Sequence, residues 1–226
     1  EKVEVAPSAT PVEQVEQWVY RVPNFQTKLN LIHCLLEDEV AFNRVILFVK
    51  TKASADEVYK VIKRKTEGEK RIMHSDKGET TRLNAIRAFK EGEVRILITT
   101  DLSARGLDAA LVSHVINFDI PPHYEDYIHR IGRTARAGNR GTAITLVAPD
   151  EMWHLKQIEK MIRMEIPVAE IPPEVVLTET SFEERQKQKR EIDRQRKIED
   201  PTFKGAFHKK KKRPERKNKP RSGHFN

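Results

Sequence analysis

The run Val45-Ile46-Leu47-Phe48-Val49 is apolar at every position, and nothing else in the sequence constrains the fold as strongly. A strand with one wet face alternates apolar and polar residues. A strand without alternation is covered on both faces, which calls for helices above and below a sheet. The flanking sequence supplies the rest of such an architecture. Val15 to Val22, Lys70 to His74, Val94 to Thr99, Val112 to Phe118 and Thr142 to Val147 read as further strands. Phe25, Leu29, Ile32 and Leu36 recur at helical spacing, and Leu83, Ile86 and Phe89 are expected to face inward from a helix over Glu79 to Lys90. Ser54 and Glu57 have the spacing of a capping box ahead of a helix that carries Ala55, Val58, Tyr59 and Ile62 on one face. Further helices are expected over Tyr124 to Ile131 and Asp150 to Met164. The alternation predicts an α/β chain: a doubly wound, mainly parallel sheet with helices on both faces. Ligands of such sheets bind beyond the C-terminal ends of the strands, which directs attention to the loops after Val49, His74, Thr99 and Phe118.

Charge separates this domain from the C-terminal part of the chain. The 226 residues carry a net +8, but ten of the 42 Lys and Arg and only one of the 34 Asp and Glu lie from Phe203 onward. That tail therefore holds +9 and the preceding residues −1, so the basicity belongs to the tail and not to the domain surface. The run Lys209 to Arg213 and its neighbours hold too little apolar surface to offset the entropy of ordering, and disorder is expected over 203–226. Beyond Pro172 and Pro173 the residues are mostly Glu, Gln, Lys and Arg. There we expect a polar helical extension over 173–202, solvated and weakly supported by pairs such as Glu183 with Lys187 and Asp193 with Lys197. The first eleven residues, with Pro7 and Pro11, read as a linker, and Glu1 is expected to mark a cut rather than a natural start. A single cysteine, Cys34, excludes a disulfide framework and a multi-thiolate zinc site, and fits a reducing cytoplasm. No apolar run approaches the length of a membrane span.

Two segments carry more chemistry than an ordinary α/β chain needs. Thr99-Thr100-Asp101-Leu102-Ser103-Ala104-Arg105-Gly106-Leu107-Asp108 leaves a buried strand and at once presents hydroxyls, carboxylates and an Arg-Gly pair. Such a loop can hold phosphate through hydroxyl and backbone donors and ribose through a carboxylate, although it equally suits a helix start and a tight turn. The second segment is His129-Arg130-Ile131-Gly132-Arg133-Thr134-Ala135-Arg136-Ala137-Gly138, with an arginine at every third position and Glu125 and Asp126 as the nearest acids. Guanidinium groups without local partners suit phosphate or carboxylate oxygens, or form an ordinary basic surface patch.

With these residues in view, the chain from about Val12 to Pro172 resembles the C-terminal RecA-like domain of DEAD-box ATP-dependent RNA helicases. Ile46 to Thr51 is similar to the family's motif IV, Arg82 with Phe89-Lys90 to motif IVa, Thr100 to Asp108 to motif V and His129 to Arg136 to motif VI. Histidine rather than glutamine opens motif VI, as in DEAD-box proteins, and Lys77 with the Gly132 to Ala137 run is nearest the bacterial RhlE type. The resemblance implies a linker over 1–11 from a missing N-terminal RecA-like domain, a helicase C-terminal domain over 12–172 and the two extensions above. It implies that Arg133 and Arg136 act as arginine fingers on the ATP γ-phosphate and that His129 couples ATP-driven closure to the partner domain. Asp108 and Gly106 would bind the ATP ribose side, and Thr51, Arg82 and Thr100 would contact RNA phosphates without reading sequence.

Two departures stand out. Ser75 and Glu79 occupy places where the family often has glycine and glutamine, which puts an RNA contact by Glu79 in doubt; Ala135 replaces a frequent glycine. No glycine is followed by lysine and no Asp-Glu-Ala-Asp run occurs, so no metal ligand is expected here. The ATP phosphate cradle and the Mg²⁺ ligands are expected from the N-terminal RecA-like domain. The implied function is the C-terminal half of an RNA-stimulated ATPase and RNA helicase, inactive by itself. Its implied partners are RNA, that N-terminal domain, and ribosomal or RNA-degradation complexes in the cytoplasm, with no membrane. The alternatives are an RNA chaperone or ribosome-assembly module acting without turnover, and a protein-docking platform. The tail is expected to tether RNA non-specifically, or to act as a solubilising or protein-binding segment.

Overall fold

Strand β2 (Val45–Phe48) lies near the middle of the sheet, as its unbroken apolar sequence requires. A computed structural model describes residues 15–104, 112–134 and 141–206. Around β2 stand β1 (Val15–Arg21), β3 (Lys70–Met73), β4 (Ile96–Thr99), β5 (His114–Asn117) and β6 (Gly141–Val147). Their order is β1-β6-β5-β2-β4-β3, and every neighbouring pair is parallel. The register sets Val45 against both Ile96 and His114, and Phe48 against both Thr99 and Asn117, so all the C-terminal strand ends lie along one rim.

The strand pleat sorts the core into two layers. Val45, Leu47 and Val49 pack with Leu29, Ile32 and Leu36 of α1 (Phe25–Glu37) and with Ala55, Val58 and Ile62 of α2 (Lys52–Lys65). Ile46 and Phe48 point the other way, onto Ala85 and Phe89 of α3 (Glu79–Glu91). Farther along that second face, Val15, Val19, Ala143 and Val147 receive α5 (Glu125–Ile131) and α6 (Met152–Ile162). A four-residue helix, α4 (Asp101–Ala104), follows β4 directly. No described helix is long and apolar enough to cross a membrane.

Three local expectations give way. Helix α2 begins earlier than a Ser54 and Glu57 capping box would have it: Thr51 is the N-cap and its Oγ1 accepts from Ser54 N at 3.0 Å. The threonine at the strand exit takes the orphan amide, which leaves Ser54 inside the first turn. Leu83 does not face inward but is 58% exposed, because the buried stripe of α3 runs through Ala85 and Phe89 with Ile86 at its edge. The third is α7 (Phe182–Glu199), which is not simply solvated: Gln186, Gln188 and Gln195 are buried. Gln188 Nε2 donates to Pro23 O at 2.9 Å, Gln195 Nε2 to Asp150 O at 2.7 Å, and Glu184 Oε1 accepts from Phe25 N at 2.8 Å. Glutamine satisfies backbone groups at the ends of other elements, so a helix almost without apolar residues can still dock.

Candidate functional site

The rim of C-terminal strand ends carries a groove of about 620 Å³, lined by Lys50, Thr51, Ser75, Thr100, Asp101 and Asp126 among others. Its walls follow from the chain reversals there. After β2 the chain turns through Lys50, whose amide donates to Asp119 Oδ2 at 2.8 Å, and enters α2 at the Thr51 cap. After β4 it enters α4, and the Thr100 carbonyl accepts from Ser103 N and Ala104 N at 3.0 and 3.1 Å. Thr51 and Thr100, far apart in sequence, thus line one groove. Thr51 is exposed, and its hydroxyl meets Ser54 Oγ at 2.8 Å besides capping α2.

Arg82 is not among the groove's lining residues. It lies in the first turns of α3, and its buried Nε has no hydrogen-bond partner among the described residues. Glu79 opens α3, where a carboxylate interacts favourably with the helix N-terminus. Lys77 sits 3.6 Å from Asp56.

Of the second segment's arginines, the two described, Arg130 and Arg133, are not equivalent. Arg130 is fully buried and has an acid partner that sequence distance concealed. Its Nε and Nη2 donate to the two carboxylate oxygens of Asp101 at 2.5 and 2.7 Å, and its Nη1 donates to Asn117 Oδ1 at 3.2 Å and Asp119 O at 2.7 Å. The guanidinium also lies 4.9 Å from the centre of the Phe48 ring. A bidentate, ring-stacked guanidinium of this kind is a fixed structural element and not a free anion binder. Its consequence is positional, because it fastens the loop after β4 to the last turn of α5. The sequence did carry a hint: Tyr127, Arg130, Ile131 and Thr134 recur at helical spacing, and all four are buried.

His129 and Arg133 stand on the other side of that turn. The His129 side chain is 71% exposed, with Nδ1 at 3.5 Å from Asp126 Oδ1. Arg133 is half-buried, and its Nε donates to His129 O at 3.0 Å just past the Gly132 cap of α5. Gly106, Asp108 and Arg136 lie outside the described residues. Among the described residues no group of three or more His, Cys, Asp or Glu side chains gathers as a metal site would.

A further ionic knot holds the rim rigid behind the groove. Buried Lys28 of α1 donates to Phe118 O at 2.7 Å and Glu151 Oε2 at 2.6 Å, with Asp119 at 3.5 Å. Burial works against the charged ammonium, but Glu151 and Asp119 outweigh it and hold its pKa above the ordinary value. The same Glu151 accepts from Ala148 N and Ile120 N, which joins the loops after β5 and β6. None of Lys28, Asp119 and Glu151 could be paired from sequence alone, since their separations run from 32 to 123 residues.

Comparison with known proteins identifies this arrangement. Residues 27–138 match the helicase conserved C-terminal domain family. The chain is 40% identical over 171 residues to the DEAD-box ATP-dependent RNA helicase RhpA of Helicobacter pylori, covering 76% of this chain and 34% of that protein. It therefore spans about a third of that curated relative's length. Among solved structures it is similar to the E. coli DEAD-box protein SrmB bound to regulator of ribonuclease activity A, at a TM-score of 0.65 and 33% identity over 74% of this chain and 98% of that one. It is similar too to S. cerevisiae Dbp5 bound to RNA and ADP BeF3, at a TM-score of 0.61 and 30% identity over 69% of this chain and 41% of that one. These likenesses reach the family and stop short of the RhlE-type subgroup. With its all-parallel RecA-like sheet, its strand-end groove and residues matched along almost the whole of a DEAD-box chain, this protein belongs to the DEAD-box family, as its helicase C-terminal domain.

Proposed function

We propose that this chain is the C-terminal half of an ATP-dependent RNA helicase, supplying arginine fingers for ATP hydrolysis and part of the groove that takes the RNA backbone. The observation that carries this reading is the Asp101–Arg130 pair, because it makes the groove wall and the His129–Arg133 segment one rigid unit. An RNA strand against Thr51 and Thr100 and a nucleotide against Arg133 would then be sensed by the same piece of backbone. Support also comes from the relatives, since RhpA is named an ATP-dependent RNA helicase and the Dbp5 structure holds RNA and ADP BeF3.

In this reading Thr51, Thr100 and Arg82 hold phosphate oxygens, so binding is independent of base sequence. Arg133 and Arg136 stabilise charge on the phosphoryl oxygens, Asp108 accepts from the ribose hydroxyls beside Gly106, and His129 passes closure to the facing domain. When bound, ATP with Mg²⁺ supplies the phosphoryl group whose hydrolysis drives opening and closing, and the Mg²⁺ ligands belong to the N-terminal RecA-like domain. The chain alone is then expected to be silent as an ATPase. The whole protein would act on RNA in the cytoplasm, where ribosomal or RNA-degradation complexes are its expected partners.

The test uses the full-length protein with Arg133→Ala and Arg136→Ala. RNA-stimulated ATP turnover should fall by roughly 10³-fold or more in each, while the fold and ATP binding persist. Near-normal turnover in either variant rejects its finger role. A full-length wild type that binds RNA without stimulated turnover would favour an RNA chaperone or ribosome-assembly role instead.

A further inference from the structure

The groove on the strand-end rim draws its charge from Lys50, Lys52, Asp101 and Asp126. Asp101 is taken up by Arg130, as described above. Lys52 is taken up as well, by a residue that does not line the groove: its Nζ donates to Asp76 Oδ1 at 2.5 Å. The pair crosses between two segments. Lys52 opens α2 directly after the Thr51 cap, and Asp76 lies in the turn between β3 and α3, next to the groove-lining Ser75. The helix dipole disfavours a cation in a first turn, and the first turn of α2 holds no acid. Asp76 supplies the missing anion from outside the helix.

The nearest other acid is already engaged. Asp56, one turn along α2, faces the same turn but lies 3.4 Å from His74 Nε2 and 3.6 Å from Lys77 Nζ. The hydrogen bond from Lys52, with the nearby charges of Lys52, His74 and Lys77, holds the Asp76 carboxyl below its ordinary pKa, so it is a full anion at neutral pH. Both partners stay in contact with water, the Lys52 side chain 49% exposed and that of Asp76 63%. An exposed pair of this kind is held only weakly. A phosphate oxygen offers the ammonium the same charge-assisted contact as a carboxylate oxygen, so it can take the place of Asp76.

We infer that Asp76 is an internal competitor of RNA: it occupies the Lys52 ammonium in the free protein, and a backbone phosphate entering the groove beside Thr51 displaces it. This rests on the RNA-binding reading above and adds two residues to it, Lys52 as a phosphate contact and Asp76 as the residue that limits affinity. A strand is then held less tightly than the groove's cations alone would hold it. Release becomes easier too, because Asp76 takes Lys52 back as the phosphate leaves.

The experiment uses full-length protein with Asp76→Asn, Lys52→Gln and the two together. It measures binding of an oligouridylate of about 10 nucleotides by fluorescence anisotropy across a salt series. Both side chains are exposed and Lys52→Gln leaves the Thr51 cap in place, so the fold is retained. Asp76→Asn should bind RNA about 1.5- to 5-fold more tightly, the equilibrium worth of an exposed ion pair. Lys52→Gln should bind more weakly, with a slope of log affinity against log salt flatter by about 0.7, the share of one single-strand phosphate contact. In the double variant the gain from Asp76→Asn should vanish, because Asp76 does not line the groove and salt screens its own field on the strand. An equal gain in both backgrounds would mean that Asp76 repels RNA directly, and would overturn the proposal. Unchanged or weaker binding by Asp76→Asn would overturn it as well, as would a Lys52→Gln slope equal to that of wild type. If wild type binds no oligouridylate, the RNA reading itself fails, and the proposal with it.

Discussion

Removing the Arg130 guanidinium should do more damage than removing any exposed arginine of the same segment. Arg130 is 1% exposed and makes four hydrogen bonds, two of them to the Asp101 carboxylate, whose side chain is itself only 19% exposed. Arg130→Met keeps most of the stem volume beside Phe48 but leaves Asp101 charged and unpaired in a part-buried site at the edge of the groove, and orphans Asn117 Oδ1 and Asp119 O. Breaking a buried pair from one side costs about 3–5 kcal/mol, most of it the penalty of the charge left behind. For a domain of this size that lowers Tm by roughly 6–20 °C. Urea unfolding followed by the fluorescence of Trp18 and Trp153 measures it. The double variant Arg130→Met with Asp101→Leu removes both charges and should recover much of the loss, with a coupling of about 2 kcal/mol. A single variant within about 1 kcal/mol of wild type, or a double variant no better than the sum of its parts, would refute the account of a buried pair that fastens the two segments.

The Leu83 and Phe89 positions of α3 should respond in opposite ways in the same unfolding assay. Exposed Leu83→Ser should stay within about 0.5 kcal/mol of wild type, whereas buried Phe89→Ala should cost about 3–5 kcal/mol, and equal effects would reject the observed facing. At Thr51 the cap and the RNA contact can be separated, since Thr51→Asp retains an N-cap acceptor while it sets a carboxylate in the groove. Thermal stability should change by less than about 1 kcal/mol while RNA affinity falls, and a variant that binds RNA normally would exclude Thr51 from the interface. The pH dependence should carry the mark of His114, which stacks on Phe42 with ring centres 4.0 Å apart and whose pKa burial pushes below the ordinary 6.5 against the opposing pull of Glu16 and Asp38. Below pH 6.5 the unfolded chain takes up the proton first, so stability is complete above that pH and falls as pH drops toward the folded pKa. Urea titrations across about pH 5–7.5 should show a shallower fall in His114→Asn, and parallel curves would reject that origin.

Much of this molecule is legible in its residues alone. The apolar run at Val45 to Val49 called for a sheet covered on both faces, and the packing of α1 and α2 on one side of β2 and α3 on the other bears that out. Thr51 and Thr100 could be placed at strand exits because a strand must end where its apolar run ends.

What the sequence hid were the partners of its charges. Asp101 and Arg130 stand 29 residues apart, and Lys28 and Glu151 stand 123 apart. Arginine spacing suggested one open basic cluster, yet burial took Arg130 out of it and made it the fastening between the groove and the end of α5. On α7 the composition suggested a solvated, nearly neutral helix, whereas hydrogen bonds from Gln188 and Gln195 to distant carbonyls turned it into a docked element. Periodicity and apolar runs are local quantities, so the sequence by itself determined the order of strands and helices along the chain and the buried faces of β2, α1 and α2. Electrostatic pairing and backbone hydrogen bonding act through space, so only the tertiary structure decided which arginine is structural and which helix docks.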